Sequence, residues 1–253
     1  MTDSRTRFSN RVADYVRFRP GYPSDLVSVL VAQLEPSNAP VAADIGSGTG
    51  IFTRLLLDRG FRVFAVEPNR NMRHAAESHL ASYRDFVSIE GGAEDTGLAD
   101  ASVDLVTAAQ AFHWFNNEAS RAEFRRILKP GGKLALIWNR RNLSQPFQQG
   151  YDSLLREFAP EYDKVNHMNL SDDDLAEFFI AGGMAVFHFE NNQRLDFDTL
   201  IGRLKSTSYC PAEDSGKYAR LYQELRQLFA GFAVEGVIEF AYDTQLYCGP
   251  VAS

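Results

Sequence analysis

Apolar residues recur along this chain in two rhythms. Short continuous runs at 41–45, 62–67, 86–90, 103–109 and 133–138 alternate with stretches where apolar residues return every three or four positions. Leu26, Val27, Leu30, Val31 and Leu34 predict a helix that Ser24 caps and Pro36 stops. Phe52, Leu55 and Leu56 share one face of a second helix, which ends at Gly60. Met72, Ala75, Ala76 and Leu80 share a face of a third, which starts from an Asn69 cap. A polar helix is expected over 118–128, and Lys129-Pro130-Gly131-Gly132 reads as a turn. Strands that are apolar throughout, joined by amphipathic helices, are buried on both faces. The expected class is therefore α/β, a doubly wound and mostly parallel sheet.

Beyond Asn139 the rhythm changes. Helices are expected over 146–158, 172–181, 197–205 and 214–230, with strands at 184–195 and 237–247. The last strand sets Ile238, Phe240, Tyr242 and Leu246 on one face and Glu239, Asp243 and Gln245 on the other, an alternation that predicts a half-solvated position at the sheet edge. With no repeat, low-complexity tract or Pro/Ser-rich linker, residues 1–253 are expected to form a single domain whose second half elaborates the first.

Composition narrows the function classes. The 253 residues are 45% hydrophobic and 23% charged, enough for a substantial core, and no apolar run approaches a membrane span. The first residues lack the apolar stretch of a secretory signal, so a cytoplasmic location is expected. Cys210 and Cys248 are too few for a disulfide framework or a zinc cage, and no metal is expected. A net charge of −7 disfavours nucleic-acid and membrane partners. That charge is uneven: 18 basic against 16 acidic residues over 1–141, and 8 against 17 over 142–253. Five arginines, Arg5, Arg7, Arg11, Arg17 and Arg19, fall in the first 19 positions.

The candidate chemistry begins at Asp44-Ile45-Gly46-Ser47-Gly48-Thr49-Gly50, between a strand and a helix, where open α/β sheets bind nucleotide-like ligands. Dinucleotides and S-adenosylmethionine compete for such a loop. The dinucleotide fingerprint fails at its third glycine, where Ile51 stands, and Asp44 would repel a pyrophosphate. Glu67 ends the second strand and can accept from both ribose hydroxyls. Met72 suits either an adenine face or the core, and Ala93-Glu94 can read an adenine edge.

DIGSGTG, AVEPNRNM, GGAEDT, SVDLVTAAQAFHWF and RRILKPGGKLALIWNRRN together resemble the class I S-adenosylmethionine-dependent methyltransferases of the methyltransferase type 11 family, more narrowly their trans-aconitate methyltransferase-like branch. The likeness is dense from Phe8 to Asn142 and thin afterwards. It implies seven strands ordered 3-2-1-4-5-7-6, strand 7 antiparallel, with helical lid insertions. It also implies a cofactor-covering segment at 1–23, a cofactor-binding core at 24–142, and lid helices and edge strands at 143–253. By resemblance Asp44, Gly46, Ser47, Gly48 and Gly50 take the methionine and ribose portion, and Glu67 with Pro68 the ribose. Met72 takes the adenine face, Ala93 and Glu94 its edge, and Gln110 reaches the cofactor, while Tyr15 and Arg19 close over its carboxylate.

Methyl transfer needs alignment and exclusion of water more than acid–base chemistry. His113 is the titratable residue at the end of the fourth strand, a candidate general base or a cleft-shaping ring. Tyr22, His113, Trp114 and Arg140 are candidate acceptor contacts. If Arg140 and Arg141 converge with the early arginines, the acceptor is anionic, such as a small organic acid. The rival readings are a non-catalytic protein that binds S-adenosylmethionine or S-adenosylhomocysteine, and a nicotinamide-dependent oxidoreductase. The sequence leaves oligomeric state open.

Overall fold

A computed structural model describes residues 16–165 and 172–252. The first half runs α1 (Ser24–Ala32), β1 (Val41–Ile45), α2 (Ile51–Asp58), β2 (Arg62–Val66), α3 (Arg70–His79), β3 (Phe86–Ile89), β4 (Val103–Ala109), a 3-10 turn (Phe112–Trp114), α4 (Glu118–Ile127) and β5 (Leu128–Arg141). The second runs α5 (Pro146–Phe158), α6 (Tyr162–Val165), α7 (Asp172–Ala176), β6 (Ala185–Leu195), α8 (Phe197–Lys205), α9 (Gly216–Phe232) and β7 (Ile238–Gly249). The strands form one sheet in the order β3-β2-β1-β4-β5-β7-β6. All neighbours are parallel except β7, which is antiparallel to both β5 and β6.

Helices cover both faces, as the continuous apolar strands require. On one face, Leu26 and Leu30 of α1 and Phe52 and Leu56 of α2 pack on Ala42, Ala135, Ile137 and Leu246. On the other, Phe124 and Ile127 of α4 pack with Val106, Leu134, Leu136 and Trp138. Trimming a fully buried leucine such as Leu136 to alanine costs about 2–5 kcal/mol in a core of this kind. A third cluster joins α5, α8 and α9 to Phe240 and Tyr242 of β7, and it walls the carboxyl end of β5.

Four local expectations are corrected. Ser24 is the first helical residue and makes no cap; Pro23 precedes it with φ fixed near the value a helix start needs. The helix expected over 172–181 stops at Ala176. The Lys129–Gly132 turn is taken into β5 as an irregularity, with Val103 facing Leu128 and Leu105 facing Lys133. The last strand is not at the edge. β7 lies inside the sheet and is largely buried, with only Glu239 exposed and Asp243 and Gln245 half-buried, while β6, whose side chains alternate between half-buried and exposed, forms the edge. Among the described residues no helix is long and apolar enough to cross a membrane, and no cluster of side chains could hold a metal ion.

Candidate functional site

Three glycines bend the chain between β1 and α2. Gly46, Gly48 and Gly50 all have positive φ, and a Cβ at Gly46 would lie 2.7 Å from that of Ala111. Only glycine fits there without displacing a neighbour. The amides of Gly46 and Ser47 both donate to the Val66 carbonyl, at 2.9 and 3.2 Å, which draws the loop over the end of β2.

Asp44 enters this loop from below. Its side chain is buried, and its two oxygens accept from the hydroxyls of Thr53 at 2.6 Å and Thr107 at 2.8 Å. The carboxylate thus ties β1 to α2 and β4. Burial pushes its pKa up to about 6 against the pull of both hydroxyls. Glu67 lies just past β2. Its Oε2 accepts from the Gly48 amide at 2.9 Å and its Oε1 from the Asn69 amide at 2.8 Å. Burial raises its pKa too, opposed by those amides and by Arg73.

Arg73 fixes this corner by donating to the carbonyls of Glu67 at 2.9 Å and Pro68 at 3.3 Å and to Glu90 at 2.6 Å. Asn69 caps α3 through the amides of Asn71 and Met72. Met72 is buried yet lies outside the three apolar clusters. Ala93 is buried, and the exposed Glu94 accepts from Asn117, the residue that caps α4.

Gln110 follows β4 with φ +58, a left-handed conformation rare outside glycine. Its Nε2 donates to the Asn139 carbonyl at 3.5 Å. Beside it is a cavity of about 80 Å³ whose wall includes Arg19, Gln110, Asn139, Arg141, Arg203 and Tyr242. Strand register builds it, because antiparallel pairing sets Arg141 opposite Tyr242.

Arg140, one residue earlier, faces the other way and opposite Asp243, in an open groove with Glu190 and Glu239. His113 and Trp114 stand at the 3-10 turn with ring centroids 4.9 Å apart, and neither lines the cavity. Tyr22 packs edge-on against Phe52 at 5.2 Å, also away from it. The backbone before Tyr22 is latched to the far half of the sheet: the Gly21 carbonyl accepts from Asn139 at 3.1 Å and from Asn191 at 3.0 Å. Tyr15 and the arginines at 5, 7 and 11 lie outside the described residues.

Sequence reasoning did not single out Thr53, Thr107, Arg73, Asn139 or Arg203. A hydroxyl two residues into the helix that follows the loop was the one local signal, at Thr53.

The chain matches the methyltransferase domain family over residues 43–136. An uncharacterized methyltransferase of Mycobacterium tuberculosis is 31% identical to it over 229 residues, 90% of this chain and 87% of the relative. A structure assigned as a type II methyltransferase from Anaeromyxobacter dehalogenans superposes with a TM-score of 0.68 at 24% identity, over 92% of this chain and 98% of the other. A S-adenosylmethionine-dependent methyltransferase of Geobacter sulfurreducens, in complex with S-adenosylhomocysteine, gives a TM-score of 0.51 at 15% identity, over 99% and 100%. These two structures share the fold.

Proposed function

We propose, since this chain belongs to the methyltransferase family, that it transfers the methyl group of S-adenosylmethionine to a small organic acid. Within the family we place it beside the trans-aconitate methyltransferase-like proteins, a placement supported by the motifs between Phe8 and Asn142.

The observation that carries the reading is Glu67 on the Gly48 amide. A carboxylate held at the rim of a loop with no Cβ at Gly46, Gly48 or Gly50 is a cradle for a ribose. The residues present therefore fit the cofactor. Glu67 and Pro68 would hold its ribose, Met72 its adenine face, and Ala93 and Glu94 the adenine edge. Asp44, Gly46, Ser47, Gly48 and Gly50 would hold the methionine portion, with Gln110, Arg19 and Tyr15 toward its carboxylate. When bound, the cofactor supplies a methyl carbon already activated by its sulfonium.

The chain's own residues then orient the acceptor and exclude water. We assign residues 16–23 to cover the site, a role supported by the anchoring of the Gly21 carbonyl to Asn139 and Asn191. The lid and edge strands come from 143–253. An acidic acceptor is supported by the three arginines on the cavity wall; a carboxylate is already a nucleophile and needs no base, so His113, which stands outside that wall, is not called on as one. The test is a panel of carboxylic acids, amines and phenols offered with the methyl donor, with release of S-adenosylhomocysteine as readout. Turnover on acids is expected, and turnover confined to amines or phenols overturns the assignment.

A further inference from the structure

The cavity beside Gln110 holds more positive charge than methyl transfer by itself requires. Arg203 is 6% exposed, and among the described residues its hydrogen-bond partners are neutral: the Phe18 carbonyl at 3.1 Å, the Tyr242 hydroxyl at 3.0 Å and the Gln193 side-chain oxygen. The Arg141 side chain is 9% exposed. Its acidic neighbour, Asp152 at 3.5 Å, also accepts from Arg156 at 2.8 Å and from the Tyr162 hydroxyl. The Arg141 Nη1 is buried with no hydrogen-bond partner among the described residues. Among the described residues no aspartate or glutamate lines the cavity.

Among the described residues Arg203 has no carboxylate partner and Arg141 shares Asp152 with Arg156, so the fold buries more positive charge here than its acids match, at the expense of stability. Aromatic rings support it in part. Arg141 stacks over Tyr151 at 5.5 Å and Tyr162 at 5.1 Å, and Arg203 over Phe240 at 5.6 Å and Tyr242 at 5.7 Å. Stacking occupies guanidinium faces; Arg203, which already donates from Nε, Nη1 and Nη2, keeps one further N–H on each Nη, Arg141 keeps its Nη1, and such N–H edges match a planar oxyanion. Burial pushes the phenols of Tyr151 and Tyr242 upward, which keeps them protonated beside such an anion. The space, about 80 Å³, holds a handful of waters, and so one carboxylate or phosphate on a short stem.

We propose that Arg141 and Arg203 hold a terminal oxyanion of the acceptor that is not the group methylated. An oxygen forked by two guanidiniums has its lone pairs committed and its charge neutralised, which makes it a good handle and a poor nucleophile. The methyl-accepting atom lies instead on the Gln110 side, where Ala111 abuts Gly46 of the cofactor loop. The substrate class is thus bifunctional, with an anionic handle and a separate nucleophile. This rests on the methyl-transfer reading above.

The test is calorimetry on the S-adenosylhomocysteine-loaded protein with succinate, monomethyl succinate, dimethyl succinate and inorganic phosphate. Succinate and its monoester are expected to bind within about tenfold of each other, and the uncharged diester at least about 100-fold more weakly. Preference for phosphate over the carboxylates assigns a phosphate handle, and the reverse a carboxylate one. Arg141→Gln and Arg203→Gln are expected to weaken the preferred anion by about 30-fold while S-adenosylhomocysteine affinity stays within about threefold. The proposal is overturned if the diester binds as well as the monoester, if the diacid exceeds the monoester by more than about 100-fold, or if no anion binds at tens of millimolar. It is equally overturned if both folded variants keep wild-type affinity. Absence of S-adenosylhomocysteine binding would instead sink the methyl-transfer reading. The ester series on wild-type protein does not depend on the variants folding.

Discussion

The carboxylate of Glu67 accepts a hydrogen bond from the Gly48 amide at 2.9 Å, joining the end of β2 to the glycine loop that follows β1. The same side chain takes the Asn69 amide, so one residue organises the loop and the start of α3 together. Replacing it removes both a loop brace and a ribose acceptor. Glu67→Ala is expected to weaken S-adenosylhomocysteine binding by about 1–3 kcal/mol, and Asp44→Ala by a similar amount, as measured by calorimetry. Unchanged affinity in both variants counts against the site.

Two glycines with positive φ separate backbone strain from the site. Gly46→Ala forces a left-handed alanine and drives its Cβ to 2.7 Å from Ala111, whereas a Cβ at Gly60 meets open space. Both changes carry the conformational cost of about 1–2 kcal/mol. The Gly46 variant alone is expected to lose more stability than that and to bind the cofactor more weakly. Equal denaturation midpoints for the two would refute the crowding at Ala111.

Asp44 makes stability depend on pH in a defined direction. Its folded pKa of about 6 stands above the ordinary value of 3.8, so the folded state holds the proton more tightly than the unfolded one. The stabilising contribution is fully present below about pH 4 and is lost as pH rises through about 6. The difference amounts to about 3 kcal/mol. Urea unfolding of wild type and Asp44→Asn at pH 4 and pH 7 reads it: the variant should lose more relative to wild type at the lower pH. A gap that does not change with pH disproves the assignment.

His113 stands at the 3-10 turn, outside the arginine-lined cavity. With an acid as acceptor, His113→Ala should leave the pH profile of kcat unchanged in shape. Loss of a limb near the histidine pKa would make it a general base.

How much of this was legible beforehand follows from where the physics is local. Strands such as β1 and β4 show as continuous apolar runs because both faces are buried, and Asn69 shows as a cap because its side chain acts within its own turn. β7 misleads because its alternation of apolar and polar residues does not mark exposure: Asp243 and Gln245 are half-buried between β5 and β6, and only Glu239 is exposed. The glycine loop and Glu67 are readable from spacing along two adjacent strands. Arg203 is not, since only the β5–β7 register and the packing of α8 bring it to Arg141. The pair Arg140 and Arg141 looks like a single charge cluster in sequence, yet strand parity sends the two side chains to opposite faces.

The most direct test of the central claim is calorimetric titration of the wild-type protein with S-adenosylhomocysteine and, separately, with NAD. The account predicts saturable binding of S-adenosylhomocysteine at one site and none of NAD. Binding of NAD without binding of S-adenosylhomocysteine would contradict it.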